Sequence, residues 1–196
     1  MQRIDLPFTG PCLLEPRVFE DARGCFFETW NERTLAGLGI AARFVQENHS
    51  RSARGVLRGL HYQSPQAQGK LLRVLAGTIF DVLVDLRRAS PTRGQAHCLR
   101  LGVEGGAGAQ APAARPGPRM LWVPPGFAHG FLVLSEVAEV SYAVTDYYAP
   151  QAEHTLLWND PALAIDWPLA ETGLAAPLLS PKDAAGRPLA ATPLFD

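Results

Sequence analysis

Cysteine is scarce in this chain of 196 residues, and the three that occur, Cys12, Cys25 and Cys98, lie far apart. No C-x-x-C pair is present, so the sequence excludes a disulfide-rich scaffold and a zinc finger and indicates a reducing compartment. Long apolar runs are also missing: none approaches the ~18 residues needed to span a bilayer. The opening MQRIDLPFTGP has no apolar signal core. We therefore expect a soluble, cytoplasmic protein.

An excess of charge of either sign is absent as well. The formal net charge is −1, with hydrophobic residues at 47% and charged residues at 19%. This composition is typical of a folded globular chain, and the length suffices for one sizeable core. Because there is no basic excess, we expect no binding to nucleic acid or to a membrane surface. An anionic ligand would need a local cluster of arginine and lysine.

Helix signals are few. One short helix is predicted over 31–40, with Asn31 as its N-cap, and another over 180–186, with Ser180 as its cap and Pro181 at the first helical position. Alternating apolar residues predict short strands instead. These lie at 43–50, on either side of Gly77 within 70–88, on either side of a Pro-Pro-Gly turn within 120–135, and at 138–150.

Many short strands with glycine and proline turns favour a mainly β protein, a barrel or sandwich of the jelly-roll kind with a few short helices. We expect one domain over 1–196, with an irregular C-terminal tail from about residue 150. The stretch 102–119 is rich in glycine, alanine and proline, and it is predicted to be a mobile surface loop between two strands.

The stretch RGVLRGLHYQ, residues 54–63, has arginine and histidine side chains on a predicted strand whose other residues are typical of a protein core. Strict alternation would set Arg58 and His61 on opposite faces. If this strand forms one wall of a binding site, the side chains of Arg58 and His61 must lie on the same face of it. Gly59 lies between them, and glycine within a strand marks a bulge or a close approach. We therefore predict a bulge or a kink at Gly59.

The segment PPGFAH, residues 124–129, fits the P-x-G-x-x-H pattern of the second cupin motif and would deliver His129 into a barrel mouth. The first cupin motif requires an H-x-H pair, where this chain has His61, Tyr62 and Gln63. A metal site normally has three or four N, O or S ligands. Two histidines are fewer ligands than such a site normally has, so no metal is predicted.

Five blocks in order resemble the dTDP-4-dehydrorhamnose 3,5-epimerase family. They are RGVLRGLHYQ, QGKLLRVLAGTIFDVLVDLRRASPTRGQ, LWVPPGFAHGFLVLSEVAEVSYAVTDYYAP, LLWNDPALAIDWP and SPKDAA, and the match runs from about residue 10 to 186. The resemblance implies a metal-independent, cofactor-free cupin-type jelly-roll β-barrel. It also implies a homodimer that epimerises a dTDP-linked 4-keto-6-deoxyhexose through enolate intermediates, at C3, C5 or both, in dTDP-L-rhamnose or related deoxysugar biosynthesis.

The chemistry of such a reaction explains the residue types. His61 resembles the family's base, since a histidine can accept a proton near neutral pH. Asp183 resembles its orienting partner, although its place three residues after Ser180 also suits a capping box. Tyr142 resembles the acid on the opposite face, although a tyrosine on a half-buried strand is common. Lys70 resembles a group that stabilises the enolate, and a solvated lysine is its alternative.

Further positions resemble ligand contacts of the family. Arg58 would face the enolate and the bound sugar, and His129 would bond a sugar hydroxyl. Arginine and lysine suit the diphosphate, and aromatic rings suit the thymine, while surface ion pairs are the alternative for the charged residues. The remaining predicted contacts are Arg23, Phe26, Glu28, Gln46, Asn48, Tyr147, Glu153 and Lys182. One departure is Ala143, where the family often has lysine; its side chain is expected to face away from Tyr142.

Three alternatives stay open on the sequence. The nearest is a relative that epimerises only C3 or only C5. A second is a metal-dependent cupin oxygenase or isomerase, against which the missing H-x-H pair counts. A third is a sugar-nucleotide-binding module without catalysis, against which the joint presence of His61, Lys70 and Tyr142 counts.

Overall fold

A computed structural model describes residues 1–102 and 118–196, and in these ranges short strands dominate. The elements, in chain order, are β1 (Gln2–Asp5), β2 (Cys12–Glu15), β3 (Val18–Asp21), β4 (Gly24–Phe27), α1 (Glu32–Gly37), β5 (Gln46–Ala53), β6 (Leu57–Gln63), β7 (Lys70–Ala76), β8 (Thr78–Asp85), β9 (Ala96–Gly102), β10 (Met120–Val123), β11 (Phe127–Val133), β12 (Val137–Val144), β13 (Glu153–Thr155), α2 (Leu169–Thr172) and α3 (Pro181–Ala184).

Two antiparallel sheets form the body of the fold. One has six strands in the order β1-β2-β10-β7-β12-β5, and the other has five in the order β13-β6-β11-β8-β9. Strands β3 and β4 form a separate hairpin. Neighbours in each sheet are often distant in sequence, as in a jelly roll. The predicted mainly β jelly-roll architecture with a few short helices is therefore confirmed.

Alternation along the strands divides the core into layers. On β8, Ile79 and Leu83 pack in the cluster between the two sheets, whereas Val82 and Val84 pack on the outer face of the five-stranded sheet. Residues from the C-terminal segment, such as Leu156 and Trp167, cover that outer face. On the six-stranded sheet, α1 covers the outer face instead. Each sheet thus has both faces covered over part of its area, as two-sided hydrophobic burial requires.

Most predicted elements lie where the sequence places them. Gly77 separates β7 from β8, and the Pro-Pro-Gly turn separates β10 from β11. Asn31 caps α1 by accepting from the backbone N–H groups of Arg33 and Thr34. The strand predicted at 43–50 begins three residues later and is an edge strand, β5. The predicted loop at 102–119 falls almost wholly outside the described residues.

The C-terminal segment, which the sequence predicts to be an irregular tail, contains a few very short elements. Residues after 150 include β13, α2 and α3 together with short 3-10 turns. Leu156 is fully buried and Trp167 is nearly so. Short elements of three or four residues leave little periodicity to recognise, so packing against the sheet, and not local pattern, determines this segment.

The predicted irregularity at Gly59 is confirmed. In the pairing of β6 with β11, His61 lies opposite His129 and Arg58 lies opposite Phe131, so two residues of β6 face the single Gly130. Gly59 has a φ of +119°, and a Cβ on it would lie 2.6 Å from the Cα of Gly130. Glycine is required here both for its backbone conformation and for the close approach of the two strands.

Replacing Gly59 tests this requirement. We expect Gly59→Ala to lower the free energy of unfolding by more than the ~1–3 kcal/mol of backbone strain alone, because the new methyl group overlaps the neighbouring strand. Gly24→Ala is the matched control, since Gly24 has a φ of +133° but no atom within 4 Å of the position that a Cβ would take. Urea unfolding measures both. Equal losses in the two variants would contradict the close-approach argument.

Candidate active site

A cavity of about 550 Å³ opens between the two sheets. Side chains of β6, β11 and β13 line it from one sheet, those of β5, β7 and β12 from the other, and α3 closes one side. Most of the predicted site residues meet here. They are Gln46, Asn48, Arg58, His61, Lys70, His129, Tyr142, Glu153, Lys182 and Asp183.

The bulge at Gly59 brings Arg58 and His61 into this one cavity. Regular alternation would have separated their side chains, and the additional residue in β6 restores them to the same face. Arg58 Nε donates to the hydroxyl of the buried Ser52 on β5, at 2.9 Å. The guanidinium is thereby tethered across the cavity from the strand that carries it.

His61 and Asp183 form a hydrogen-bonded pair, with Nε2 and Oδ1 2.5 Å apart. Asp183 lies on α3, and its second oxygen accepts from the Ser180 hydroxyl at 2.7 Å. The Ser180 hydroxyl in turn accepts from the Asp183 backbone N–H at 3.1 Å. The capping arrangement expected as an alternative for Asp183 therefore coexists with the pair, and it fixes the carboxylate that orients the imidazole.

The surroundings of this pair favour a free-base histidine beside an ionised aspartate. Burial lowers the pKa of His61 below its usual 6.5, and the hydrogen bond to Asp183 only partly offsets this. For Asp183, burial raises the pKa, but the hydrogen bonds to His61 and Ser180 outweigh it and leave the pKa below its usual value. His61 can thus accept a proton at neutral pH and pass into an imidazolium that Asp183 stabilises.

Lys70 begins β7 and is almost fully buried, at 9% exposure. Its ammonium donates to the backbone carbonyl of His61 at 3.1 Å. Burial lowers the pKa of Lys70 to about 8, against the raising effect of Glu153 and Asp81. Burying an ammonium costs desolvation free energy, but its electrostatic attraction for a nearby negative charge is stronger because water is excluded. Lys70 is therefore placed to stabilise negative charge that develops in the cavity.

Tyr142 approaches the cavity from the sheet opposite His61. It lies on β12, paired with Asn48 of β5 and Leu72 of β7. Burial raises the pKa of its phenol above 10, with Arg58 opposing that shift. The hydroxyl therefore keeps its proton at neutral pH. A proton acceptor on one sheet and a phenol that keeps its proton on the other therefore line the same cavity.

Glu153, Lys182 and Tyr148 form a polar group at the cavity wall. The Lys182 ammonium donates to one oxygen of Glu153 at 2.8 Å, and the Tyr148 hydroxyl donates to the other at 2.9 Å. Burial raises the pKa of Glu153, but these two hydrogen bonds outweigh it and lower the pKa. The carboxylate is ionised and fixed, and it neutralises the charge of Lys182.

Four predicted contact residues lie away from the cavity. Arg23 on the β3–β4 hairpin pairs with Asp21, and the exposed Phe26 belongs to the same hairpin. Glu28 follows the hairpin and accepts from Asn31 and Thr34. Tyr147 is exposed as well. Their roles in ligand binding stay predictions, because none of the four lines the cavity.

Sequence reasoning missed several residues of the cavity wall. Gln63 lies two positions after His61, so alternation could have found it. Tyr148, beside the predicted Tyr147, follows the end of β12, where alternation gives no guidance. Ser180 is indicated by the sequence only as a helix cap. The others are Tyr62, Gln68, Leu72, Gly130 and Phe131.

Over residues 1–102 and 118–196, no group of three or more His, Cys, Asp and Glu side chains is arranged to hold a metal ion. The same ranges contain no helix of the length and hydrophobicity that crossing a membrane would take.

The chain is similar to known proteins over nearly its whole length. The family model described as dTDP-4-dehydrorhamnose 3,5-epimerase matches residues 5–191. The dTDP-4-dehydrorhamnose 3,5-epimerase of Pseudomonas aeruginosa is 54% identical over 196 residues, which is 100% of this chain and 99% of the relative.

Solved structures agree. A crystal structure of dTDP-6-deoxy-D-glucose-3,5-epimerase from Legionella pneumophila in complex with dTDP-4-keto-L-rhamnose has a TM-score of 0.86 at 45% identity, covering 99% of this chain and 97% of that one. The Bacillus anthracis dTDP-4-dehydrorhamnose 3,5-epimerase with TDP and PPi bound has a TM-score of 0.83 at 42% identity, covering 95% and 98%. These likenesses confirm the cupin-type fold that the sequence predicts.

Proposed function

Since this chain belongs to the dTDP-4-dehydrorhamnose 3,5-epimerase family, we propose that the cavity between its sheets is where a dTDP-linked sugar is epimerised. The protein is an isomerase that epimerises dTDP-4-dehydro-6-deoxy-D-glucose at C3 and C5, the reaction that serves rhamnose biosynthesis. The observation that carries the assignment of its groups is the placement of the His61–Asp183 pair and Tyr142 on opposite sheets of one cavity.

The reaction follows from these positions. A hydrogen next to the C4 ketone is weakly acidic, and His61 removes it as a proton while the electron pair of the C–H bond moves to the ketone oxygen. Lys70 and Arg58 stabilise the resulting enolate, each such donor contributing roughly two to three powers of ten in rate. Tyr142 then donates its proton to the same carbon from the opposite face. The new C–H bond forms there, the ketone is restored, and the configuration is inverted.

Incubation with dTDP-4-keto-6-deoxyglucose in deuterated water tests the proposal. We expect NMR to show deuterium at both C3 and C5 of the product. Exchange at one carbon only would indicate a mono-epimerase. If neither C3 nor C5 exchanges although dTDP still binds, the proposed catalytic role of the cavity is overturned.

The pH dependence of kcat/KM should be bell-shaped. Below the pKa of His61, which burial lowers from 6.5, the imidazole is protonated and cannot accept a proton, so the rate falls as pH falls. Above the pKa of Lys70, about 8, the ammonium is lost and the rate falls as pH rises. A pH series on the parent protein locates both limbs. In Lys70→Arg the charge persists to high pH, and an alkaline limb still at about 8 would contradict the assignment.

The homodimer expected from the sequence extends this proposal. Arg23, Phe26 and Glu28 lie on or beside an exposed hairpin away from the cavity of their own chain. Phe26 is 73% exposed and its register partner Phe19 is 51% exposed, and adjacent exposed aromatic side chains are typical of an interaction surface. We propose that the hairpin reaches the cavity of a second copy, where Arg23 contacts the diphosphate.

Mixed dimers test this arrangement. We expect His61→Ala protein alone to be inactive and Arg23→Ala protein alone to be weakly active. If Arg23 acts in the partner's site, co-refolding the two restores one complete site in each heterodimer, or about a quarter of parental activity at statistical mixing. If Arg23 acts within its own chain, mixing restores nothing. Sedimentation of the parent protein as a monomer at micromolar concentration would remove the dimer itself.

The three cysteines support a cytoplasmic site of action. Cys12, Cys25 and Cys98 are all free thiols in the structure, as expected in a reducing compartment.

A further inference from the structure

A second histidine–aspartate pair lies beside the first. His129 of β11 is the register partner of His61 of β6. Its Nε2 lies 2.9 Å and 3.1 Å from the two oxygens of Asp81 on β8. The sequence predicts a substrate contact for His129 and no role for Asp81. The mechanism described above does not use Asp81 either.

The position of Asp81 is unfavourable for a carboxylate unless it serves the site. Its side chain is fully buried, and the residues that share its face of β8, Ile79 and Leu83, belong to the apolar cluster between the sheets. An ionised carboxylate in such surroundings is costly unless it is paired and hydrogen-bonded. The only hydrogen-bond partner of this carboxylate in the described part of the chain is the ring of His129.

This contact determines which nitrogen of His129 can meet a ligand. An ionised carboxylate only accepts hydrogen bonds, so Nε2 of His129 carries a proton that it donates to Asp81. Among the residues that the structure describes, no other hydrogen bond to this ring is formed. Because His129 also lines the cavity, Nδ1 is the nitrogen left for the substrate, and in the neutral ring it accepts from a sugar hydroxyl.

Asp81 also acts on Lys70. The charged and titratable groups that share the cavity with Lys70 come from several elements. They are Arg58 and His61 on β6, His129 on β11, Tyr142 on β12, Tyr148 after it, Glu153 on β13, and Lys182 and Asp183 on α3, while Asp81 on β8 lies behind His129. The negative charges of Glu153 and Asp81 favour the ammonium, and Lys182 opposes it. Glu153 already pairs with Lys182 at 2.8 Å, whereas Asp81 forms no ion pair with a lysine or arginine among the described residues and meets only the ring of His129.

We propose that Asp81 is a positioning residue of the active site, which fixes the proton of His129 on Nε2 and so leaves Nδ1 to meet the substrate. It orients a group that contacts the sugar without touching the substrate itself. This inference rests on the proposed function, because the epimerisation rate is one of its readouts.

The test is the pH profile of Asp81→Asn. We expect kcat/KM at pH 7 to fall about 10- to 100-fold through misplacement of His129. The alkaline limb should move to lower pH by about one unit or more, because an opposite charge near Lys70 is removed. The acid limb, which belongs to His61, should stay in place. Asp85→Asn is the matched control, since Asp85 is also fully buried on β8 but hydrogen-bonds with Arg87. We expect that variant to lose stability and to keep both limbs.

A second measurement needs no variant. The ¹⁵N shifts of the histidines in the intact parent protein report the tautomer, and we expect Nε2–H in His129 throughout the range in which the enzyme is active. A His129 ring with its proton on Nδ1 alone would overturn the proposal, as would an Asp81→Asn protein that keeps the parental kcat/KM at pH 7. Failure of the proposed function would look different, because the parent protein itself would then show no exchange at C3 or C5.

Discussion

His61→Ala should abolish deuterium exchange at both C3 and C5 while dTDP binding is retained. His61 is the one histidine of the cavity that is paired with the carboxylate of α3, and burial keeps it in the free-base form at neutral pH. Removal of a general base typically costs ~10²–10⁴ in rate. Because C3 and C5 both lie next to the same ketone, loss of the one base should abolish deuterium exchange at both carbons together.

The measurement is NMR-monitored exchange alongside calorimetric titration with dTDP. His49→Ala is the matched control, since His49 is an exposed histidine on β5 whose ring faces Glu139 outside the cavity. That variant should exchange both hydrogens at the parental rate. Near-normal turnover in His61→Ala would show that another group is the base.

Tyr142→Phe should separate exchange from inversion. The substitution keeps the ring, so packing on β12 changes little. Deprotonation by His61 and stabilisation by Lys70 are still possible, but proton donation from the opposite face is lost. The rate of inversion should fall ~10²–10⁴-fold, while deuterium still enters the substrate at C5. The ratio of deuterium incorporated to inverted product therefore rises.

Tyr62→Phe is the matched control for this ratio. Tyr62 also borders the cavity, but its ring packs in the cluster on the outer face of the five-stranded sheet and its hydroxyl donates to the backbone carbonyl of Pro193 at 3.2 Å. We expect that variant to keep the parental ratio even if its stability falls. An unchanged ratio in Tyr142→Phe would make Tyr142 a packing residue and direct the search for the acid to Tyr148, which also lines the cavity.

The strands of the barrel are predictable because alternation is a property of the local sequence. On β8 the apolar residues of both faces lie where the pattern indicates, and glycine and proline mark the ends of β7 and β10. The short strands β1, β3 and β13 are not predictable in this way. Three or four residues give no reliable period, and their conformation depends on pairing with distant partners such as β2 and β6.

Those residues of the site could be predicted whose type, spacing or family resemblance indicated a role. Glycine between Arg58 and His61 indicated a bulge, and the structure has one. Asp81 could not be recognised, because an aspartate that alternates with apolar residues looks like the polar side of an ordinary strand. Its meaning depends on His129, which lies 48 residues further along the chain and meets it only through the pairing of β8 with β11.

The reach of α3 into the cavity has a consequence for biosynthesis. Gly59 and His61 contact Asp183 across 124 and 122 residues of sequence, and the strands of both sheets are complete by residue 155. A ribosome therefore finishes every strand of the two sheets before it adds the carboxylate that pairs with His61. A domain folds as a unit, and the C-terminal segment also supplies core residues for the outer face of the five-stranded sheet. Docking of this segment thus completes the core and gives His61 its partner in the same step.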